Sequence, residues 1–268
     1  MTNPVVTEEH AVTDWIASAV AEPKYDLALA RMCAEACARA YREQTFGNDL
    51  AHVLVVPAGD GKGQMANGTG ATIIAFRGSA NTRDWLTDFE IRFRYTQFGR
   101  VHAGFWESTN SLMASIMALP EVMGAFPVIV TGHSKGAAEA VICARLLAAA
   151  GKPVAAVVTF GGPRVGDAAW RIGYGKCQMA DGKTLGEITQ RWVHEEDIVC
   201  RMAAWCTGYR HVGTEAFMSS FGGVELNPPF WRKAASDLWG TFWGYAQGHI
   251  DQVEDHPVSR YLEHLDSL

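Results

Sequence analysis

Apolar and polar positions repeat along this chain with two periods. Residues 24–46, KYDLALARMCAEACARAYREQTF, place apolar side chains at helical spacing and predict a long amphipathic helix closed by Gly47. The short apolar runs AHVLVVP and ATIIAF flank a glycine-rich stretch, GDGKGQMANGTG, and predict two adjacent strands. EIRFRY reads as a further strand, and GFWESTNSLMASIMAL as a helix that stops before Pro120. PVIVTG and PVAAVVTF are unbroken apolar runs, the mark of strands buried on both faces. Between them KGAAEAVICARLLAAAG predicts a helix ended by Gly151, while GGPRVGD reads as a turn and TQRWVHEEDIV as a weaker strand. Strands alternating with helices of this length predict an α/β fold with a mostly parallel central sheet covered by helices on both faces. With no internal repeat and no linker, the expectation is one domain over residues 1–268, opened by a helical segment over 1–48.

Composition narrows the functions. Apolar residues make up 48% of the chain, enough for a sizeable core. The formal charge is −6 and no dense Lys/Arg stripe occurs, which argues against nucleic acid as a partner. Arg145 interrupts the most apolar helix, so no transmembrane segment is expected. The first residues lack a basic start and a long apolar run, and Glu8 and Glu9 stand where a leader would be positive; a cytoplasmic protein is expected. Cys33, Cys37, Cys143, Cys177, Cys200 and Cys206 then read as free thiols, with a Cys200–Cys206 bridge as the less favoured alternative. There is no C-x-x-C and no H-E-x-x-H, and the glycine-rich stretch GDGKGQMANGTG has no G-K-[ST] and opens no helix, so neither a metal nor another cofactor is expected.

One motif carries chemistry. In TGHSKGAAEA, Ser134 stands between Gly132 and Gly136, directly after the buried run PVIV and before the Ala-rich helix. In a chain with 27 glycines a bare G-x-S-x-G is a weak signal. Its position between strand and helix is stronger. A sharp turn there needs glycines on both sides and lifts the hydroxyl above the sheet edge, where the amides of the next helix point. The alternative is a turn serine or helix cap. A serine nucleophile also needs a histidine base and a carboxylate to orient it.

The chain resembles the class 3 lipases, a fungal-lipase-like branch of the α/β-hydrolases. GHSKG is similar to that family's GHSLG, with Lys135 replacing the common leucine. AFRGS (Ala75 to Ser79), VHAGF (Val101 to Phe105), FGGPRVGD (Phe160 to Asp167), EDIV (Glu196 to Val199) and the terminal DHPVSRY match in kind and order, over about residues 50–268. The resemblance implies an α/β-hydrolase fold with Ser134 as nucleophile and Asp197 as acid, Glu195, Glu196 and Asp167 being rivals. It implies an oxyanion hole formed at Ser79 and at Lys135, whose amide follows the nucleophile. Lys135 itself is expected to put a charge near the site mouth. For the base, the spacing to Tyr261 and the preceding Asp255 favour His256, with His249 the alternative.

Two stretches are expected to shape the substrate site. NTRDWLTDFEI, which contains Trp85, lies where the fungal relatives place a lid. The aromatic-rich insertion over 215–250, between acid and base, holds Trp231, Trp239 and Trp243, which suit an acyl-chain wall or a lipid-facing surface; a helix packed on the core by its aromatic face is the alternative. The expected activity is carboxylic-ester hydrolysis, as a lipase on acylglycerols, with a lipid or small ester as substrate and transient contact with a lipid interface. A phospholipase A1 or short-chain esterase is the second reading, and a catalytically silent binding protein on the same fold the third.

Overall fold

Side chains alternate across the strands of a central sheet and feed two cores. The computed structural model describes residues 25–56, 71–79, 92–124, 126–194, 197–201, 208–219, 223–229 and 257–268. Among them, eight strands form one sheet: β1 (Phe46–Gly47), β2 (His52–Val56), β3 (Thr72–Phe76), β6 (Val128–His133), β7 (Val154–Phe160), β8 (Thr189–His194), β9 (Thr214–Met218) and β10 (Val224–Leu226), in that spatial order. The four pairs from β3 to β9 are parallel, and the three outer pairs antiparallel. A separate hairpin is made by β4 (Phe93–Thr96) and β5 (Gly99–His102). The expected adjacent strands are β2 and β3, which pair antiparallel.

The period-2 alternation is visible in the packing. Ile74, Phe76, Val128 and Val130 enter one cluster with α2 (Ala103–Ala118) and α4 (Lys135–Ala149). Ile73, Ala75 and Ile129 enter the other, with α1 (Leu27–Ala40) and α6 (Val258–Ser267). The sheet is therefore covered on both faces, and its central strands are apolar throughout because neither side meets water. A short helix, α3 (Pro120–Met123), follows α2, and α5 (Ala168–Gly175) follows β7.

Three expectations change. The first helix stops at Ala40 instead of running to Phe46, because Phe46 pairs with Val53 as a strand and the Thr45 amide bonds the Val53 carbonyl at 2.9 Å. Sheet pairing overrides the helical periodicity there. The stretch 215–250 begins as sheet: β9 and β10 add its last two strands, so the aromatic connection starts later than expected. Helix α5 was hidden because AAWRIGYG is too short to show a period. Its N-cap is Asp167, whose Oδ1 accepts the Trp170 amide at 2.9 Å while Oδ2 accepts from Arg100 Nε at 2.9 Å.

Asp167 gives a first test. Burial raises its pKa, but the Trp170 amide and Arg100 outweigh it, and the carboxyl sits below its ordinary 3.8. A depressed folded pKa contributes stability that is fully present above the ordinary 3.8 and is lost as pH falls from there through the lower folded pKa. Asp167→Ala is expected to cost about 1 kcal/mol through the lost cap. Asp167→Asn keeps the cap and should flatten only the acid limb. Denaturant melts between acid and neutral pH read both.

Candidate active site

The site is assembled at the carboxyl ends of β3, β6 and β8. Strand β6 ends at His133, and Ser134 turns directly into α4 with φ 61° and ψ −131°. Such a backbone costs a non-glycine residue on the order of 1–3 kcal/mol and persists only where its surroundings enforce it. The glycines enforce it here. A Cβ on Gly132 would overlap the Gly136 carbonyl, and one on Gly136 would overlap the Phe76 carbonyl. Ser134 occupies the N-cap position of α4 but makes no side-chain cap bond. Its Oγ is buried and has no hydrogen-bond partner among the described residues. The helix-cap alternative is thereby removed. A buried hydroxyl left unpaired at a strained turn is what a nucleophile awaiting its base looks like.

Strand β3 lies beside β6, with Phe76 opposite Gly132, and leads into Arg77–Gly78–Ser79. Gly78 fits flush against the elbow: a Cβ there would come 2.9 Å from that of Ser134 and 2.8 Å from the His133 carbonyl. Half-buried Ser79 follows it. Tyr41, just past the end of α1, closes this corner. Its hydroxyl meets His133 Nδ1 at 2.8 Å, so the His133 ring leaves the elbow towards α1. Burial first, and the Cys37 thiol next, raise the Tyr41 pKa and keep its proton in place.

Asp197 stands three residues past β8 and is 1% exposed. Oδ1 accepts the Val199 amide at 2.9 Å, and Oδ2 accepts the Tyr261 hydroxyl at 2.6 Å. Tyr261, fully buried on α6, also accepts the His194 amide at 3.2 Å. Burial, then the Asp197 charge, hold its phenol well above the usual range, so it remains a donor. Strand β7 separates β6 from β8, which puts Ser134 and Asp197 two strand spacings apart, about 10 Å. An imidazole is the group that can bridge that gap. The rival Asp167 is committed to Trp170 and Arg100.

Lys135 differs from expectation. Its ammonium does not stand at the mouth: it is turned onto the Leu50 carbonyl at 2.7 Å, the Ser108 hydroxyl at 3.2 Å and the Glu139 carboxylate. Among the other histidines, His102 caps α2 by accepting the Phe105 amide, and His211 bonds the Cys200 carbonyl at 2.9 Å. Cys33, Cys37, Cys143, Cys177 and Cys200 are free thiols, which sets aside the Cys200–Cys206 bridge. His256, His249, Glu195, Glu196, Trp85, Trp231, Trp239, Trp243 and Cys206 lie outside the described residues. Tyr41 and Glu139 were missed by sequence reasoning: Tyr41 stands in no motif and only tertiary packing brings it to the elbow, while Glu139, though within TGHSKGAAEA, reads as an ordinary helix residue until its burial against Ser108 and Lys135 is seen.

No helix among the described residues is long and apolar enough to cross a membrane, and no group of three or more His, Cys, Asp or Glu side chains there could hold a metal ion.

Comparison with known proteins matches the sequence motifs. The family model described as Lipase (class 3) matches residues 73–206, half of the chain. The secreted mono- and diacylglycerol lipase A of Penicillium cyclopium is 33% identical over 159 residues, covering 56% of this chain and 48% of that protein. The secreted mono- and diacylglycerol lipase 1 of Fusarium solani is 31% identical over 153 residues, covering 54% and 43%. The chain thus spans about half the length of the curated relatives it matches. A mutant form of MDLA from Penicillium cyclopium superposes with a TM-score of 0.60 at 21% identity, over 74% of this chain and 83% of that one. The fold is accordingly the α/β-hydrolase fold anticipated from the motifs.

These relatives overturn one expectation. They are named as secreted proteins, so the cytoplasmic assignment falls. That expectation rested on the first residues lacking a basic start and an apolar run, and the free thiols do not rescue it, because buried thiols discriminate poorly between compartments. Burial pushes the Cys37 thiol up to about 12 and Cys143 higher still, which withdraws the reactive thiolate in any surroundings. From the elbow motif, the parallel sheet that carries it and the match over residues 73–206, the chain belongs to the class 3 lipase family.

Proposed function

We propose that this protein is an extracellular serine carboxylic-ester hydrolase, a lipase acting on acylglycerols through an acyl-enzyme. The observation that carries the reading is Ser134 Oγ, buried and without a partner among the described residues, on a strained strand-to-helix turn. Ser134 attacks the ester carbonyl as His256 takes its proton. The amides of Ser79 and Lys135 hold the oxyanion. The alcohol leaves with the proton from His256, and a water activated by the same imidazole releases the acid. Asp197, held by Val199 and Tyr261, orients the ring. His256 is preferred to His249 because Pro257 opens α6, and Tyr261 one turn further on is bonded to Asp197. No cofactor enters these steps. The chain acts as one domain, with Trp85, Trp231, Trp239 and Trp243 contacting acyl chains and the lipid surface.

Labelling by a fluorophosphonate probe tests the nucleophile, and hydrolysis of mono-, di- and triacylglycerols beside phosphatidylcholine and p-nitrophenyl acetate tests the class. Labelling with preferred turnover of acylglycerols is the expected outcome. Preference for the phospholipid or the acetate would assign a phospholipase A1 or a short-chain esterase, and absence of labelling a silent binding protein. Trp231→Ala, Trp239→Ala and Trp243→Ala should weaken long-chain hydrolysis far more than that of acetate, since each buried methylene is worth about 0.8 kcal/mol.

A further inference from the structure

Beneath the elbow lies a closed circuit of polar groups that the triad does not use. Glu139, one turn into α4, is fully buried. Its Oε1 accepts from both the Ser108 hydroxyl of α2 and the Lys135 ammonium. Lys135 also donates to the Leu50 carbonyl and to Ser108 Oγ, so its three protons have three acceptors. Asn48 completes the ring. Its Oδ1 accepts the Leu50 amide at 2.9 Å and its Nδ2 donates to Ser111 Oγ at 2.9 Å, while that hydroxyl donates to the Ser108 carbonyl at 2.7 Å. The first turn of α4, the helix α2 and the turn before β2 are thus tied at one point.

Stability is a poor reason for this arrangement. A buried ion pair gains little over a well-packed apolar pair, and a cation in the first turn of a helix opposes its dipole. Glu139 Oε2 is moreover left unpaired among the described residues. Burial raises the Glu139 pKa against the opposing pull of Lys135, the mark of a carboxylate held where it costs free energy. Ser108 and Lys135 lie close enough to suggest a second nucleophile and base, but Ser108 is 2% exposed and no ester reaches it. What the circuit does is tie the Lys135 side chain to three acceptors on three different segments.

Resting on the hydrolase reading above, we propose that Lys135 and Glu139 are positioning residues: their ion pair, anchored on Leu50 and Ser108, sets the Lys135 backbone amide at the place where the oxyanion forms. Loss of one oxyanion donor costs about 10²–10³ in kcat, and a shift of about 1 Å costs up to about 10²-fold. Releasing the side chain should therefore lower kcat and leave ground-state binding alone.

The test uses the full-length protein with p-nitrophenyl butyrate, well below each variant's Tm. Lys135→Met and Glu139→Leu are expected to lose roughly 10- to 100-fold in kcat with KM within about twofold of wild type. Glu139→Gln keeps the oxygen that accepts from Lys135 and Ser108 and should recover most of that loss. Lys135→Leu/Glu139→Leu removes both charges together and should match or exceed the wild-type Tm while keeping the low kcat. That dissociation of Tm from turnover is the decisive result, and it does not depend on the single variants folding. Wild-type kcat in the double variant would overturn the proposal. A wild-type protein that neither labels with fluorophosphonate nor turns over the ester would instead sink the hydrolase reading itself.

Discussion

Ser134→Ala is expected to lower kcat by about 10⁴-fold or more while the protein stays folded. The hydroxyl makes no cap bond and no other hydrogen bond among the described residues, so its removal takes nothing from the fold. Ser134→Gly sharpens the prediction. Glycine adopts φ 61° without the Cβ penalty, so this variant should be as inactive as the alanine one yet more stable, by about 1 kcal/mol or more. Inactivity with a gain in Tm is the signature of strain maintained for chemistry. Equal stability of the serine and glycine proteins would show that the turn is relaxed, and near-normal turnover by folded Ser134→Ala would reject the elbow altogether.

His256→Ala is expected to match the Ser134 loss, at about 10⁴-fold, whereas His249→Ala should leave turnover within a few-fold of wild type. The physical demand comes from the sheet. Ser134 and Asp197 follow strands β6 and β8, which are separated by β7, too far apart for a direct hydrogen bond, and Asp197 is held by Val199 and Tyr261 as an orienter would be. One imidazole must connect them. The double variant Ser134→Ala/His256→Ala should be little worse than either single one, because members of a triad act as a unit. A dead His249→Ala enzyme with an active His256→Ala would transfer the role of base and leave the reaction class standing.

How much of this was legible beforehand depends on the distance over which each interaction acts. Strands β6 and β7 and helix α4 could be read as unbroken apolar runs and an Ala-rich segment, because burial on both faces writes itself into consecutive residues. The elbow was legible for the same reason: strand, glycine, serine, glycine and helix are contiguous. The end of α1 was not, since residues 41–46 carry a helical pattern and only the pairing of Phe46 with Val53 draws the chain out of the helix into a turn and the short strand β1.

By itself, then, the sequence determined the sheet's central strands, the turn that holds Ser134 and the order of the motifs around it. Their local residues suffice to specify them. Only the tertiary structure decided what surrounds the elbow. Tyr41 reaches His133 across 92 positions and Tyr261 reaches Asp197 across 64. Lys135 turns away from the mouth because Leu50, 85 positions earlier, and Ser108 offer it acceptors. Such contacts leave no periodicity in the chain. They arise because buried donors and acceptors must find partners once the sheet has closed, and which partner is within reach is a property of the packed fold.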